Sequence, residues 1–259
     1  MKEELGKKSE VTIENKKTLE YPREFFDLQI EFARKIAQVL RIPISQALLQ
    51  YTVLFRRLNI DRSLNATDSV WQEFLASLTD ENLPDRAYQL YLQRKDIELE
   101  LEPDKKKFGC FTLEYKSEEK CVKIHFTSKE NDGGPLDDKN LSKRMQEIKG
   151  LFEYVRETYP DALIVRGGSW LYNLSKYKRL FPPEFSRDAQ PATRYHFGGM
   201  SVWGQFLDQN MKIKSDQAKL FRERLSRAES LDQLEDSLPL QTLEVGDYIE
   251  DFYRYYGIQ

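Results

Sequence analysis

Val122-Lys123-Ile124-His125-Phe126 and Ala162-Leu163-Ile164-Val165-Arg166-Gly167-Gly168-Ser169-Trp170 flank one amphipathic stretch, and the way these three pieces read decides the fold. The first alternates apolar and polar residues, the period of a half-buried strand. Phe111, Leu113 and Tyr115 alternate in the same way just upstream, so the two segments pair as a β-hairpin across Ser117 to Lys120. Leu141, Met145, Ile148, Phe152 and Val155 then recur at a 4-3-4-3 spacing, which is one face of a helix. The short apolar run Ala162 to Val165 fits a buried parallel strand. A strand, helix, strand unit with a right-handed crossover sets its two strands side by side with their tips at one end, where open α/β sheets hold ligands.

Working outward, the chain before this unit is helical. Phe25, Leu28, Phe32, Ile36 and Val39 form an apolar face after Pro22, and Arg41-Ile42-Pro43 breaks it. Leu48, Tyr51, Phe55 and Leu58 mark a second helix, Trp71, Phe74, Leu75 and Leu78 a third, and Ala87, Leu90 and Tyr91 a fourth. Residues 1–20 are charged and aperiodic and read as a disordered tail. The charged stretch Ile97 to Lys107 reads as an edge strand or a linker. Beyond the central unit, Thr193 to Phe197 and Ser201 to Leu207 read as two strands and Ala218 to Ala228 as a helix. Ser230 with Gln233 is a capping box, and Ile249, Phe252 and Tyr256 form a last helix closed by Gly257. The expected class is α+β: a tail over 1–20, a helical subdomain over 21–105, and a mixed β-sheet α/β domain over 106–259.

Composition narrows the function classes. The 259 residues are 40% hydrophobic and 12% aromatic, enough for a substantial core. Basic and acidic residues number 40 and 43, giving a net charge of -3 with no arginine-rich stripe, which argues against a nucleic-acid binder. No apolar run is long enough to span a bilayer and no signal core opens the chain, so a soluble, cytoplasmic protein without membrane contact is expected. Cys110 and Cys121 stand on the two hairpin segments. A bridge between them is conceivable, but two thiols in a core-rich protein usually stay reduced, and neither has metal-ligand spacing.

The candidate chemistry clusters near the strand tips. His125 and His196 point away from the apolar faces of their strands, and an imidazole suits a general base as well as a structural hydrogen bond. Arg166 precedes Gly167 and Gly168, a combination able to hold an anion or simply to form a turn with a paired arginine. The loop Asn131-Asp132-Gly133-Gly134-Pro135 lies where a phosphate cradle would sit, without the Gly-Lys-Ser/Thr of a P-loop. Ser169 stands in Gly167-Gly168-Ser169-Trp170-Leu171, which resembles a nucleophile elbow but carries Leu171 where that motif needs glycine. Ser169 serves equally as an N-cap.

Taken together, Ile124-His125-Phe126, Gly134-Pro135-Leu136, the Leu141 to Val155 helix, Ser169-Trp170-Leu171 and the later Leu238-Pro239 and Thr242-Leu243 resemble the C-terminal domain of bacterial acyltransferase-domain proteins related to the GNAT superfamily. The resemblance covers about residues 108 to 257. It implies a mixed sheet with splayed central strands and an acyl-coenzyme A co-substrate whose pyrophosphate would rest at Gly133 and Gly134. Arg166, Gly167 and Gly168 would complete the donor site. It also implies a small-molecule or protein amine as acceptor, with His125 or Glu114 as base. The superfamily signature Arg/Gln-x-x-Gly-x-Gly/Ala is absent from the loop. Two other readings compete with acyl transfer: a non-catalytic binding protein on the same scaffold whose helical half contacts a partner, and a hydrolase using Ser169.

Overall fold

The computed structural model describes residues 20–60, 64–79, 81–97, 105–127, 134–192 and 197–259. Two hydrophobic cores organise them. The first begins with α1 (Arg23–Leu40), whose Phe25, Phe26, Leu28, Ile30, Phe32 and Ile36 are buried, and Pro22 caps it. After Pro43 come α2 (Ile44–Tyr51) and α3 (Leu54–Arg57), two helices where the spacing predicts one. The break has a local cause. The Thr52 hydroxyl donates to Leu48 O, and the buried Gln29 side chain accepts the Val53 N–H at 3.0 Å, so that amide bonds a side chain in place of the helical ladder. Next are α4 (Ser69–Ala76), capped by Asp68, and α5 (Leu83–Arg94).

The charged segment then yields an edge strand, β1 (Lys105–Phe108), followed by the predicted hairpin, β2 (Phe111–Lys116) and β3 (Cys121–Phe126). Helix α6 (Leu141–Thr158) crosses over to β4 (Ile164–Ser169), which lies parallel to β3. A 3-10 turn at Trp170–Asn173, α7 (Ser175–Lys178) and the short β5 (Gln190–Pro191) come next.

The chain then departs from its expected course. Of the strand expected at Thr193 to Phe197, residues 193–196, with Arg194 and His196, lie outside the described residues. Ser201 to Leu207 is not a strand. It forms α8 (Met200–Trp203) and a 3-10 turn at Gly204–Phe206. Val202, Trp203, Phe206 and Leu207 are all buried, and a run with that spacing fits one helical face as well as it fits a strand. Phe197, Trp203 and Phe206 pack into the first core, and so do α9 (Ser215–Arg227) and α10 (Leu231–Asp236). Residues 197–238, expected in the α/β part, thus complete the helical one.

The chain returns to the sheet as β6 (Leu243–Tyr248), unanticipated from the sequence, and ends in α11 (Ile249–Tyr256), which closes at Gly257 with φ +63°. Among the described residues the sheet order is β1-β2-β3-β4-β6-β5, mixed because only β3 and β4 run parallel. The class is α+β. One sheet face carries Leu113, Val122, Ile124, Val165 and Val245 and packs against α6, α11 and the aromatic side chains of Tyr172, Tyr177, Phe181 and Phe185. The opposite face presents Lys123, His125, Arg166, Gly168, Glu244 and Tyr248. No helix of the described residues is long and apolar enough to cross a membrane.

Candidate functional site

On the open face, β2 and β3 pair Thr112 with His125 and Glu114 with Lys123, which sets Glu114 diagonally beside His125. His125 Nε2 donates to Glu114 Oε2 at 2.8 Å. Lys116 Nζ reaches Glu114 Oε1 at 2.5 Å, and Lys105 Nζ lies 3.9 Å from Oε2. Burial by itself raises the pKa of the Glu114 carboxyl, yet the hydrogen bonds from Lys116 and His125 and the nearby Lys105 charge outweigh it and hold the group at about 2. Glu114 is therefore a carboxylate throughout the physiological range. In the neutral tautomer with Nε2–H toward Glu114, Nδ1 carries the lone pair that a base needs, on a ring whose side chain is 49% exposed.

This pair sits where the parallel strands part. The β3/β4 ladder runs from Cys121↔Ile164 to Ile124↔Gly167 and stops. Gly168 and Ser169 continue by pairing with Glu244 and Leu243 of β6, while His125 and Phe126 keep only their β2 partners. On the helix-covered side the gap is filled. The Tyr172 hydroxyl occupies the place of a Cβ at Gly167, Tyr172 and Tyr177 meet edge to face at 5.0 Å, and Tyr177 packs on Phe126 at 5.5 Å. Burial pushes both phenols above their ordinary pKa, so both are neutral. On the open side, a Cβ at Gly168 would meet nothing nearer than Glu244 Cγ at 4.0 Å.

The remaining candidates fall elsewhere. Arg166 shares the open face but pairs with Glu119 at 2.8 Å. Gly167 faces the opposite way, beneath Tyr172, and its lack of a side chain serves packing. Gly133 lies outside the described residues. The Gly134 N–H donates to Asp137 Oδ2 at 2.9 Å, so a carboxylate of the chain holds the amide that a pyrophosphate was expected to use. Ser169 Oγ accepts the Leu171 N–H at 3.2 Å as the cap of the following turn, and strand alternation places it on the face opposite His125. Among the described residues no hydrogen bond joins its hydroxyl to a base. Cys110 and Cys121 form no disulfide and are buried, at opposite ends of the hairpin.

Sequence reading missed Lys116 and Lys105, although Lys116 follows Glu114 at the two-residue spacing that shares a strand face. It also missed Tyr172 and Tyr177, which look like ordinary core aromatics. Among the described residues no cluster of three His, Cys, Asp or Glu side chains is placed to hold a metal. Two clefts, of about 280 and 310 Å³, open in the helical half: one lies between α1 and α9 beside Glu31, Lys35 and Arg222, the other beside Ile44, Leu75 and Leu83. Neither is lined by the residues above.

No family model matches the chain, and no curated protein or solved structure matches it. What the site can do therefore rests on its own geometry.

Proposed function

We propose that the protein is an acyltransferase that moves an acyl group from a coenzyme A thioester to a small-molecule or protein amine. The observation that carries this reading is the Glu114–His125 pair at the open end of two parallel strands whose ladder stops at Ile124↔Gly167. A mixed sheet with parting central strands agrees with the resemblance in the sequence. In this reading His125 Nδ1 takes a proton from the attacking amine, and Glu114 positions the ring and stabilises the imidazolium that results. The Gly134 loop does not fit a pyrophosphate, because Asp137 already occupies its amide. Arg166 and the bare backbone at Gly168 remain as the accessible parts of the expected donor site.

A second reading, a non-catalytic binding protein on the same scaffold, is favoured by Tyr172 and Tyr177 filling the covered side of the strand gap. One experiment separates the two. Melting temperature is measured against acetyl-coenzyme A, and release of free thiol is followed with a panel of amines. Acyl transfer predicts a melting temperature that rises with ligand concentration and an amine-dependent thiol release abolished by His125→Ala. No shift at millimolar ligand and no thiol release would leave the binding protein as the reading.

A further inference from the structure

One lysine of the helical half stands at the end of the sheet where the parallel strands part. β3 and β4 run parallel, so His125, next to last in β3, and Trp170, which follows Ser169 at the close of β4, lie at the same end. The Trp170 indole rests on the turn Gly204–Phe206, where a Cβ at Gly204 would come within 3.2 Å of its Nε1. Lys214 meets the same ring. Its Nζ lies 5.1 Å from the ring centre and donates to Gln205 O, in that turn, at 3.0 Å. The backbone fixes the position: the Lys214 N–H donates to Phe206 O at 2.8 Å, and the Lys214 carbonyl accepts the Ala218 N–H at 3.0 Å as α9 begins.

The setting is a poor one for an ammonium. Lys214 is half-buried, and its partners among the described residues are a neutral carbonyl and a ring, with no carboxylate at ion-pair distance. Asp208, in the loop before it, turns Oδ1 to the N–H groups of Asn210 and Lys212, at 2.7 and 2.8 Å. Burial lowers the pKa of the Lys214 amine, and the Asp208 charge opposes this only in part. A lysine so placed is more often the free amine, the form that attacks an electrophile.

We propose that Lys214 is an acylation site, the chain's own amine acceptor for the acyl group of a coenzyme A thioester. The choice of donor rests on the acyl-transfer reading above, whereas the site rests on the placement of Lys214 between Trp170 and Gln205. In the step, the free Nζ amine attacks the thioester carbonyl carbon. The N–C bond forms, the C–S bond breaks, and the proton that the nitrogen sheds goes to the leaving thiolate, which gives an amide and free coenzyme A. The amide carries no charge. Acylation therefore takes the cation away from the Trp170 ring and loosens the contact between the turn after β4 and the helical half.

The full chain is incubated with acetyl-coenzyme A and, separately, with a limiting amount of N-hydroxysuccinimide acetate, and the acetylated lysines are mapped by peptide mass spectrometry. The thioester acetylates Lys214 of the wild type, one thiol is released for each acetyl group gained, and Lys214→Arg loses both. The ester reagent, which needs no enzyme, acetylates Lys214 severalfold faster than the exposed Lys107 and Lys219. Equal acetylation of Lys214 by the thioester in wild type and His125→Ala upholds the site and removes His125 from the step. A Lys214 left unmodified by the thioester overturns the proposal, and transfer to free amines in the same reaction then shows that the acyltransferase reading stands without it. A Lys214 that reacts with the ester no faster than Lys107 and Lys219 overturns the proposal as well.

Discussion

The Tyr172 hydroxyl lies against Gly167, at the point where the β3/β4 ladder ends, and takes up the space that any side chain at position 167 would need. Gly167→Ala therefore forces the buried phenol to move, with an overpacking cost of about 1–3 kcal/mol. Chemical denaturation of the single variant and of Gly167→Ala with Tyr172→Phe checks this. Removing the hydroxyl gives the methyl room, so the double variant recovers part of the loss, and equal loss in both would show that the contact is not the cause.

Glu114 ties stability to pH. Its carboxyl is held at about 2 in the folded protein against 4.5 in the unfolded reference. A depressed folded value means that the stabilisation is fully present above the unfolded value and is lost as pH falls from about 4.5 toward 2. Wild type thus loses stability over that window through this group, and Glu114→Gln, which has no proton to gain there, shows a shallower decline. At neutral pH the same substitution costs about 1.5–3 kcal/mol, the range for hydrogen bonds to a charged group. Parallel slopes for the two proteins between pH 5 and 2 would refute the assignment.

Ser169 acts through its hydroxyl as a cap, at 3.2 Å from the Leu171 N–H. Ser169→Ala lowers stability by about 1 kcal/mol, and Ser169→Thr, which keeps the oxygen, loses less. A fluorophosphonate probe leaves the wild-type chain unlabelled. Labelling that Ser169→Ala removes would restore the hydrolase reading.

The interior of the α/β part holds a further test. Arg144 is fully buried, its guanidinium touches Cys110 Sγ, and its Nη2 lies 3.1 Å from Glu147 Oε1. Glu147 Oε2 accepts the Cys110 N–H at 3.0 Å, so one ion pair fastens the turn before β2 to α6. Arg144→Ala takes the buried guanidinium away from Glu147 and costs about 3–5 kcal/mol. Urea denaturation reads this directly, and a loss under 1 kcal/mol would mean that the pair is not needed.

The hairpin, the crossover helix and the parallel strand were legible because each keeps a single period and has one face buried, as with Val122 and Ile124 against Lys123 and His125. Strand β6 was not, since Gly246 and Asp247 are poor strand formers and only Leu243 and Val245 carry the alternation. It forms because β4 offers it an edge to pair with. The His125 and Glu114 candidates came together because strand register is local. The Gly134 seat failed for a reason no spacing carries: an aspartate three residues on folds back onto the amide. The return of residues 197–238 to the helical core was equally hidden, being decided by contacts far apart in the chain.

That return makes a prediction of its own. Trp203 is fully buried, donates through Nε1 to Phe197 O at 2.7 Å, and meets Phe32 of α1 at 5.4 Å and Phe221 of α9 at 6.1 Å. Trp203→Ala removes a ring packed against both the first helix and the ninth, at a cost of about 3–5 kcal/mol. Because the two cores are distinct, the loss falls unevenly. Native-state hydrogen exchange of the variant speeds up in α1 and α9 together, although more than 170 residues separate them in the chain, and β3 and β4 keep their protection. Faster exchange in β3 and β4 to the same degree would show one cooperative unit in place of two.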